Sequence, residues 1–445
     1  MRHPTLALIA AALAPAALAQ PSAFLPAGVA PDIVVAADGS GNFATVEAAV
    51  ASVPKDNRDR VVILVKNGTY HEKVRIDASD VTLLGESRDG VRIEFAQRAD
   101  AYRRNSDKLG TAVVNVNGDD VVLQNLTIDN TQPTIGTHAF AVYGRGDRTV
   151  ITDANIWSNG NDTLSLWRAT GSQFGADAGQ HVSPNGRYYH ARLDVKGSVD
   201  FICPRGWCYL TDSTIHELKA EDAAVWHDGS RDKNMKFVMT DCRFDGIQDW
   251  RLARHHHDGQ FYFIGCTFSS TLEDRAPYRV IYPLDGGKPT PADIRNNQEH
   301  DATNIWGERS YFYHSHRTGG DYAWMRDNLE AAPGSPRPGQ ITAAWTFDGS
   351  WDPEAKAGPS VRSVGERGGR LALTFSEPVT VKGHPRVDLG SDEYAEYASG
   401  SGTDTLVFAV PAGRSPRGLV LNGGAIVATE AAASLRPASL ELPRG

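Results

Sequence analysis

Val122-Leu-Gln-Asn-Leu-Thr-Ile128 and Val150-Ile-Thr-Asp-Ala-Asn-Ile156 are two copies of one phrase, and that phrase decides the fold. It returns as Tyr209-Leu-Thr-Asp-Ser-Thr-Ile215, Val238-Met-Thr-Asp-Cys-Arg-Phe244 and Tyr262-Phe-Ile-Gly-Cys-Thr-Phe268, with a weaker copy at Tyr189-His-Ala-Arg-Leu-Asp-Val195. Each copy joins a short β-rich run to a polar turn and then to another apolar residue. Successive copies begin 28, 39, 20, 29 and 24 residues apart, a period in the twenties with variable insertions. A unit of that size cannot bury its inner face alone and must stack on its neighbours. Leucine-rich horseshoe spacing is absent and helical spacing is scarce. The expected architecture is therefore all-β: a parallel β-helix in which each coil's strands pair with those of the next. The longest spacing leaves room for a loop, Arg168 to Asn185, over one side of the solenoid. Long loops on a rigid scaffold commonly wall a groove.

Working outward, Ala44 to Ser52 reads as a short helix ending before Pro54, placed to cap the open end of the solenoid. Val61-Val-Ile-Leu-Val65 reads as a fully buried strand. The polar and aromatic runs Trp306 to Ser310 and His314 to Tyr322 are expected in the last coils. After residue 353 the texture changes. Leu371 to Phe375, Thr405 to Val410 and Gly418 to Leu421 are strand-like runs separated by Gly, Ser and Pro turns. Residues 30–353 are thus expected to form the β-helix, and residues 356–445 a small Ig-like β-sandwich.

The bulk properties agree with an exported globular protein. The chain has 445 residues, 41% hydrophobic and 22% charged, enough for more than one domain. A net charge of −9, with no basic patch interleaved with aromatics, argues against a nucleic-acid partner. Arg2 and His3 precede an apolar run from Leu6 to Leu18, and Ala17-Leu18-Ala19 offers a small-residue cleavage pattern. Residues 1–19 therefore read as a signal peptide, and the mature protein is expected to be secreted or periplasmic. The run is too short for a membrane span, and no later stretch approaches the roughly 18 apolar residues a span needs. A monomer is the default for a capped solenoid. In an exported protein, Cys203 and Cys208 could close a small loop and Cys242 and Cys266 could meet in neighbouring strands; four buried free thiols are the alternative. Their spacing does not suit a metal site.

Two further phrases carry the chemistry: Gly160-Asn161-Asp162-Thr163-Leu164 and Gly197-Ser198-Val199-Asp200-Phe201-Ile202. Each sets one aspartate among β-branched or apolar residues, where a carboxylate is costly unless paired or hydrogen-bonded. Leu252-Ala253-Arg254 could supply a cation for one of them. In this order along the chain, with Val35 to Val46, Val62 to Tyr70, Val81 to Gly85 and Asn125 to Thr131, these phrases resemble the pectin methylesterases, or pectinesterases. The likeness runs from about residue 33 to 270, and the stretch to 353 looks like a bacterial branch of that family.

The resemblance implies a right-handed parallel β-helix that hydrolyses methyl esters of galacturonate units, with pectin or a related acidic polysaccharide as partner. It implies Asp200 as nucleophile, Asp162 as acid and then base, and Arg254 holding Asp200 ionised, with no metal or organic cofactor. Two nearby carboxyls with opposite duties need opposite protonation states, which mutual repulsion and one bound arginine supply. The family's paired glutamines, amide donors at the oxyanion, fall on Asn161 and His138; Asn keeps the donor with a shorter reach, and His can donate through one ring nitrogen. Where the family has an aromatic after the arginine, this chain has His255-His256-His257. Successive strand residues face opposite ways, so these three cannot converge on a metal. Trp167, Tyr188, Trp207, Trp226 and Trp250 surround the site phrases in sequence, and Trp226 and Trp250 are candidates to stack on sugar rings. The competing readings are another pectin-active β-helix enzyme, a lyase or a polygalacturonase, and a non-catalytic carbohydrate-binding or adhesion protein. A lyase needs a calcium-binding acidic cluster and a glycosidase several facing carboxylates, and neither pattern stands out.

Overall fold

In the computed structural model, the described residues are 31–445 apart from 58–59, 169–185, 228–233, 257–258, 284–285, 304–308, 355–360, 391–392, 411–415, 422–424, 429–438 and 442–445. The expected signal peptide, most of the loop after Arg168, and Trp306 lie outside them. Two compact units divide the chain, one ending at Glu354 and the other beginning at Ala355.

The first unit is a parallel β-helix of three sheets. One sheet has ten strands, from Ile33–Val35 through Thr149–Thr152 and Gly206–Thr211 to Ser310–Tyr313. A second has nine, from Gly68–His71 through Asn155–Ser158 and Asp194–Gly197 to His316–Arg317. The repeated phrase spans the corner between these two sheets. Its first residues align in one register column: Val122, Val150, Tyr189, Tyr209, Val238 and Tyr262. Its seventh residues, Ile128, Ile156, Val195, Ile215, Phe244 and Phe268, form another column in the second sheet. All six seventh positions are buried in the core, so the stack is held by apolar side chains that no single coil could cover. Between them the chain must turn sharply. Asn125, Asp153, Arg192, Asp212 and Asp241 all adopt left-handed backbone there, with φ between 48 and 57°, and Gly265 follows at 64°. Asn and Asp tolerate that conformation better than other side-chain-bearing residues, which is why the phrase keeps them at its fourth position.

The helix spans Val46–Ala51, with Thr45 Oγ1 accepting from Ala48 N, and packs Val46, Ala49 and Val50 into the core. It is shorter than expected because Thr45 supplies the N-cap. Val61–Val65 is a strand, but Val61 and Leu64, on opposite faces, are only half-buried, so the expectation of a fully buried strand is corrected: Val62, Ile63 and Val65 are buried while one residue on each face keeps some exposure. The third sheet is interrupted. Val74–Ile76, Val114–Val116, Val142–Gly144 and Leu164–Leu166 form one part, and Ala223–His227, Arg251–His255 and Tyr278–Arg279 the other. Among the described residues, only the single bridges Leu164 to Ile202 and Ile202 to Val225 connect them.

The second unit is an antiparallel sheet arrangement with its own core of Leu373, Phe375, Val387, Leu406, Phe408 and Leu419 among others. Its long strand Arg370–Lys382 pairs with Thr403–Ala409 and then, past a register break, with Ala425–Ala428. A strand that changes partners in this way suits the expected β-sandwich.

Candidate active site

The break in the third sheet is where the site lies. Asp162 and Asp200 occupy the turns that lead from the second sheet into the third, both left-handed, at φ 57° and 50°. Asp162 N donates to Val199 O at 3.0 Å and Asp200 N to Ala223 O at 2.7 Å, so the two aspartates stand in successive coils. The glycines that open the two phrases make this close stacking feasible. A Cβ on Gly160 would run into the Thr137 carbonyl and Ala139, and one on Gly197 into Phe201 and Thr163.

Arg254 reaches Asp200 from two coils further along. Its Nε donates to Oδ1 at 2.7 Å and its Nη2 to Oδ2 at 2.6 Å, a bidentate pair whose side chains are only 8% and 13% exposed. The guanidinium lies 5.2 Å from the Trp226 ring centre, and Nη1 is 3.7 Å from Asp222. Burial alone would lower the Arg254 pKa, but the Asp200 charge and hydrogen bonds outweigh it and hold the group firmly protonated. His138 Nε2 stands 3.3 Å from Asp162 Oδ2. Desolvation and the Arg103 charge hold this imidazole below its ordinary range, so it is neutral near pH 7. Asn161 Oδ1 accepts from Ser198 Oγ at 3.0 Å. Nearby, burial and the charges of Asp222 and Asp200 push the Glu217 carboxyl well up, against the lowering effect of the Lys219 N–H that donates to Oε1.

A cleft of about 410 Å³ gathers these groups: His138, Asn161, Asp162, Asp200, Trp226 and Arg254 all line it. Trp250 does not. It is fully buried, stacked on Phe244 at 6.3 Å, with Nε1 donating to Ser269 and Thr271 hydroxyls. Its expected role at a sugar ring is therefore corrected: the left-handed turn at Asp249 delivers the indole to the interior. Tyr188 is likewise in the core, and Trp207 packs under Lys236 on the first sheet. Trp167 is at the cleft, with Arg205 4.0 Å from its ring centre.

Sequence reasoning passed over Arg205, Lys219, Asp222 and Tyr282, which also line the cleft. Arg205 and Lys219 sit in short charged turns just after the site strands, a signal that could have been followed. Tyr282 comes from a segment outside the repeat, anchored through its own peptide to the Asn297 side chain, and had none. The four cysteines are buried free thiols. Cys203 faces the cleft while Cys208 points into the core, so the loop between them does not close. His255 and His256 are buried and pack against His300 of the helix Pro291–Thr303, at 6.0 and 5.5 Å. Among the described residues no group of three or more His, Cys, Asp or Glu is placed to hold a metal ion.

Fold and cleft together define a β-helix protein with two stacked carboxyls, one of them clamped by arginine, in an open groove. The chain belongs to the pectinesterase family, whose sequence model matches residues 32–263. It is 31% identical over 225 residues to pectinesterase 4 of Arabidopsis thaliana, a match covering 49% of this chain and 35% of that protein. A pectinesterase of Daucus carota is 27% identical over 263 residues, covering 59% and 70% of the two chains. The matched stretch spans about a third of the first plant relatives, 36% in a probable pectinesterase/pectinesterase inhibitor of Arabidopsis thaliana. Among solved structures, a pectin methylesterase of Erwinia chrysanthemi superposes with a TM-score of 0.55 at 21% identity, covering 73% of this chain and 99% of that one. A pectin methylesterase in complex with a hexasaccharide matches at 0.54, with the same identity and coverage.

Proposed function

We propose that this protein hydrolyses methyl esters of galacturonate units in pectin, releasing methanol and a free carboxylate. The observation that carries the reading is the bidentate Arg254–Asp200 pair with Asp162 one coil away in the same cleft. Arg254 favours the ionised form of Asp200, and His138, held below its ordinary range, stands beside Asp162. An Asp200 oxygen attacks the ester carbonyl carbon and the C–OCH₃ bond breaks. Asp162 gives its proton to the departing methoxide, which leaves as methanol. Water then loses a proton to Asp162 and adds to the aspartyl anhydride. That step frees the galacturonic acid carboxyl, which gives its proton to solvent and leaves as carboxylate, and it returns both aspartates to their starting states. The Asn161 amide is the donor within reach of the developing oxyanion, and His138, touching Asp162, doubles as its neighbour. Trp167, part-exposed at the cleft, supplies aromatic surface for sugar rings, whereas the buried Trp226 backs the Arg254 guanidinium.

Hydrolysis of an exported polymer fits the proposed export of the chain through its N-terminal segment, with the C-terminal unit as an accessory module; N-terminal sequencing of protein recovered outside the cytoplasm tests the first point. For the activity, purified protein with highly methylated pectin is expected to release methanol and acid, with neither unsaturated ends nor new reducing ends, and with no effect of chelator. Asp200→Ala is expected to abolish the release. Binding of pectin without methanol release would favour a carbohydrate-binding role instead, and the substitution of the family's glutamine by Asn161 is the observation that makes that outcome worth testing.

A further inference from the structure

We infer that Ser198 is a positioning residue that fixes the Asn161 amide with its N–H₂ group turned to the cleft. Ser198 is fully buried at the meeting point of the three segments that carry the site. Its hydroxyl oxygen accepts from Gly136 N at 3.0 Å, in the loop that leads to His138. The same hydroxyl donates to Asn161 Oδ1 at 3.0 Å, in the turn that leads to Asp162. Its own backbone N donates to Gly160 O at 3.0 Å, and Asp200 follows two residues later. A serine hydroxyl has a single proton. With the Gly136 N–H already directed at the oxygen, that proton goes to Asn161 Oδ1, and a flipped amide would turn Nδ2 to the hydroxyl and leave the buried Ser198 proton without its acceptor. Nδ2 is thus the atom left over, on a residue that lines the cleft, and no protein group among the described residues takes it. A shorter amide than glutamine reaches the oxyanion only if its rotamer and its face are both held, and one buried hydroxyl does both.

This inference rests on the esterase reading, because an oriented amide donor stabilises charge only where an oxyanion forms. The test measures methanol release from highly methylated pectin by the full chain. Ser198→Ala is expected to lower kcat by about 10- to 100-fold with KM changed less than about threefold, the pattern of an interaction felt in the transition state. Asn161→Ala should show a similar loss, and the double variant should be no worse than the poorer single one, since both remove the same oriented donor. If Asn161→Ala is impaired and Ser198→Ala retains the wild-type kcat, or if the two losses multiply, the positioning role is overturned while the esterase reading stands. Ser198→Cys, close in shape but a weak donor, repeats the measurement should the alanine variant not fold, and an unchanged kcat there is equally fatal. If the wild type releases no methanol, the esterase reading fails, and crystal structures decide the positioning. The Asn161 amide is expected to turn or split into two conformers in the serine variant, and one unchanged conformer overturns the inference.

Discussion

Two corners of this β-helix hold the same pair of residues in nearly the same geometry, and only one of them forms a cleft. At the first corner, Arg192 Nε and Nη2 donate to the two oxygens of Asp153 at 2.6 and 2.8 Å. At the second, Arg254 does the same to Asp200 at 2.7 and 2.6 Å. Both aspartates are left-handed, with φ of 54° and 50°. The difference is in surroundings. The Arg192–Asp153 side chains are 43% and 30% exposed, against 8% and 13% for Arg254–Asp200. Arg192 stands in the same corner column as Asp153, one coil on, so that pair spans adjacent turns and has the solvated setting of an ordinary surface ion pair. Arg254 arrives from two coils away, over an indole, into a gap where the third sheet is reduced to single bridges and where a second carboxyl waits. Turn chemistry places an aspartate at either corner; convergence of elements from several coils turns one of them into a reactive group.

The contrast can be broken by matched substitutions. Asp200→Asn keeps a residue that tolerates the left-handed turn but removes the nucleophile, and kcat should fall by about 10³ or more with the fold intact by circular dichroism. Activity surviving in that variant at more than a few per cent would erase the distinction between the corners. Arg254→Lys replaces a planar fork by a point charge, and kcat/KM is expected to drop by about 10²; Arg192→Lys, assayed in parallel, should change it by less than about twofold. Equal effects at the two positions would mean that burial is not what separates them.

The smallest effect belongs to Asp153→Asn. Burial raises the Asp153 pKa, but hydrogen bonds from Arg192 and Thr152 outweigh it, so the folded value lies below the ordinary one. A depressed folded value contributes stability that is complete above the unfolded value of about 3.9 and disappears as pH falls through the folded value. Urea denaturation should therefore show the variant less stable than wild type by about 0.2–1 kcal/mol at pH 7, with the gap closing in acid and pectin hydrolysis unaffected.

Much of this was readable along the chain. The repeated phrase specified the coil register residue by residue, because a two-residue strand period and an obligatory left-handed turn leave few ways to stack it. Even the weak copy at Tyr189 falls into line, with Arg192 in the turn position that Asn, Asp or Gly occupies in the other copies. Asp162, Asp200 and Arg254 stood out by residue type and motif, and the structure brings all three to one cleft. Trp250 was misread because sequence proximity to Arg254 says nothing about which way a turn sends a side chain. Cys242 and Cys266 were read as possible neighbours; they occupy equivalent positions of adjacent phrases, and burial together with the facing Cys266 thiol pushes Cys242 up. Ser198 and Tyr282 carried no signal, since one acts through a hydroxyl on a neighbouring coil and the other arrives on a segment with no repeat to place it.

By itself the sequence determined the solenoid, its register and the two corners where aspartates must turn left, because those follow from local period, backbone sterics and the need of each coil to bury its inner face. Only the tertiary structure decided which corner opens to a cleft and which ion pair is withdrawn from water. It also decided where the Asn161 amide points. These depend on groups dozens of residues apart, and the free energy of a buried charge or an oriented donor is set by everything packed around it rather than by its neighbours in the chain.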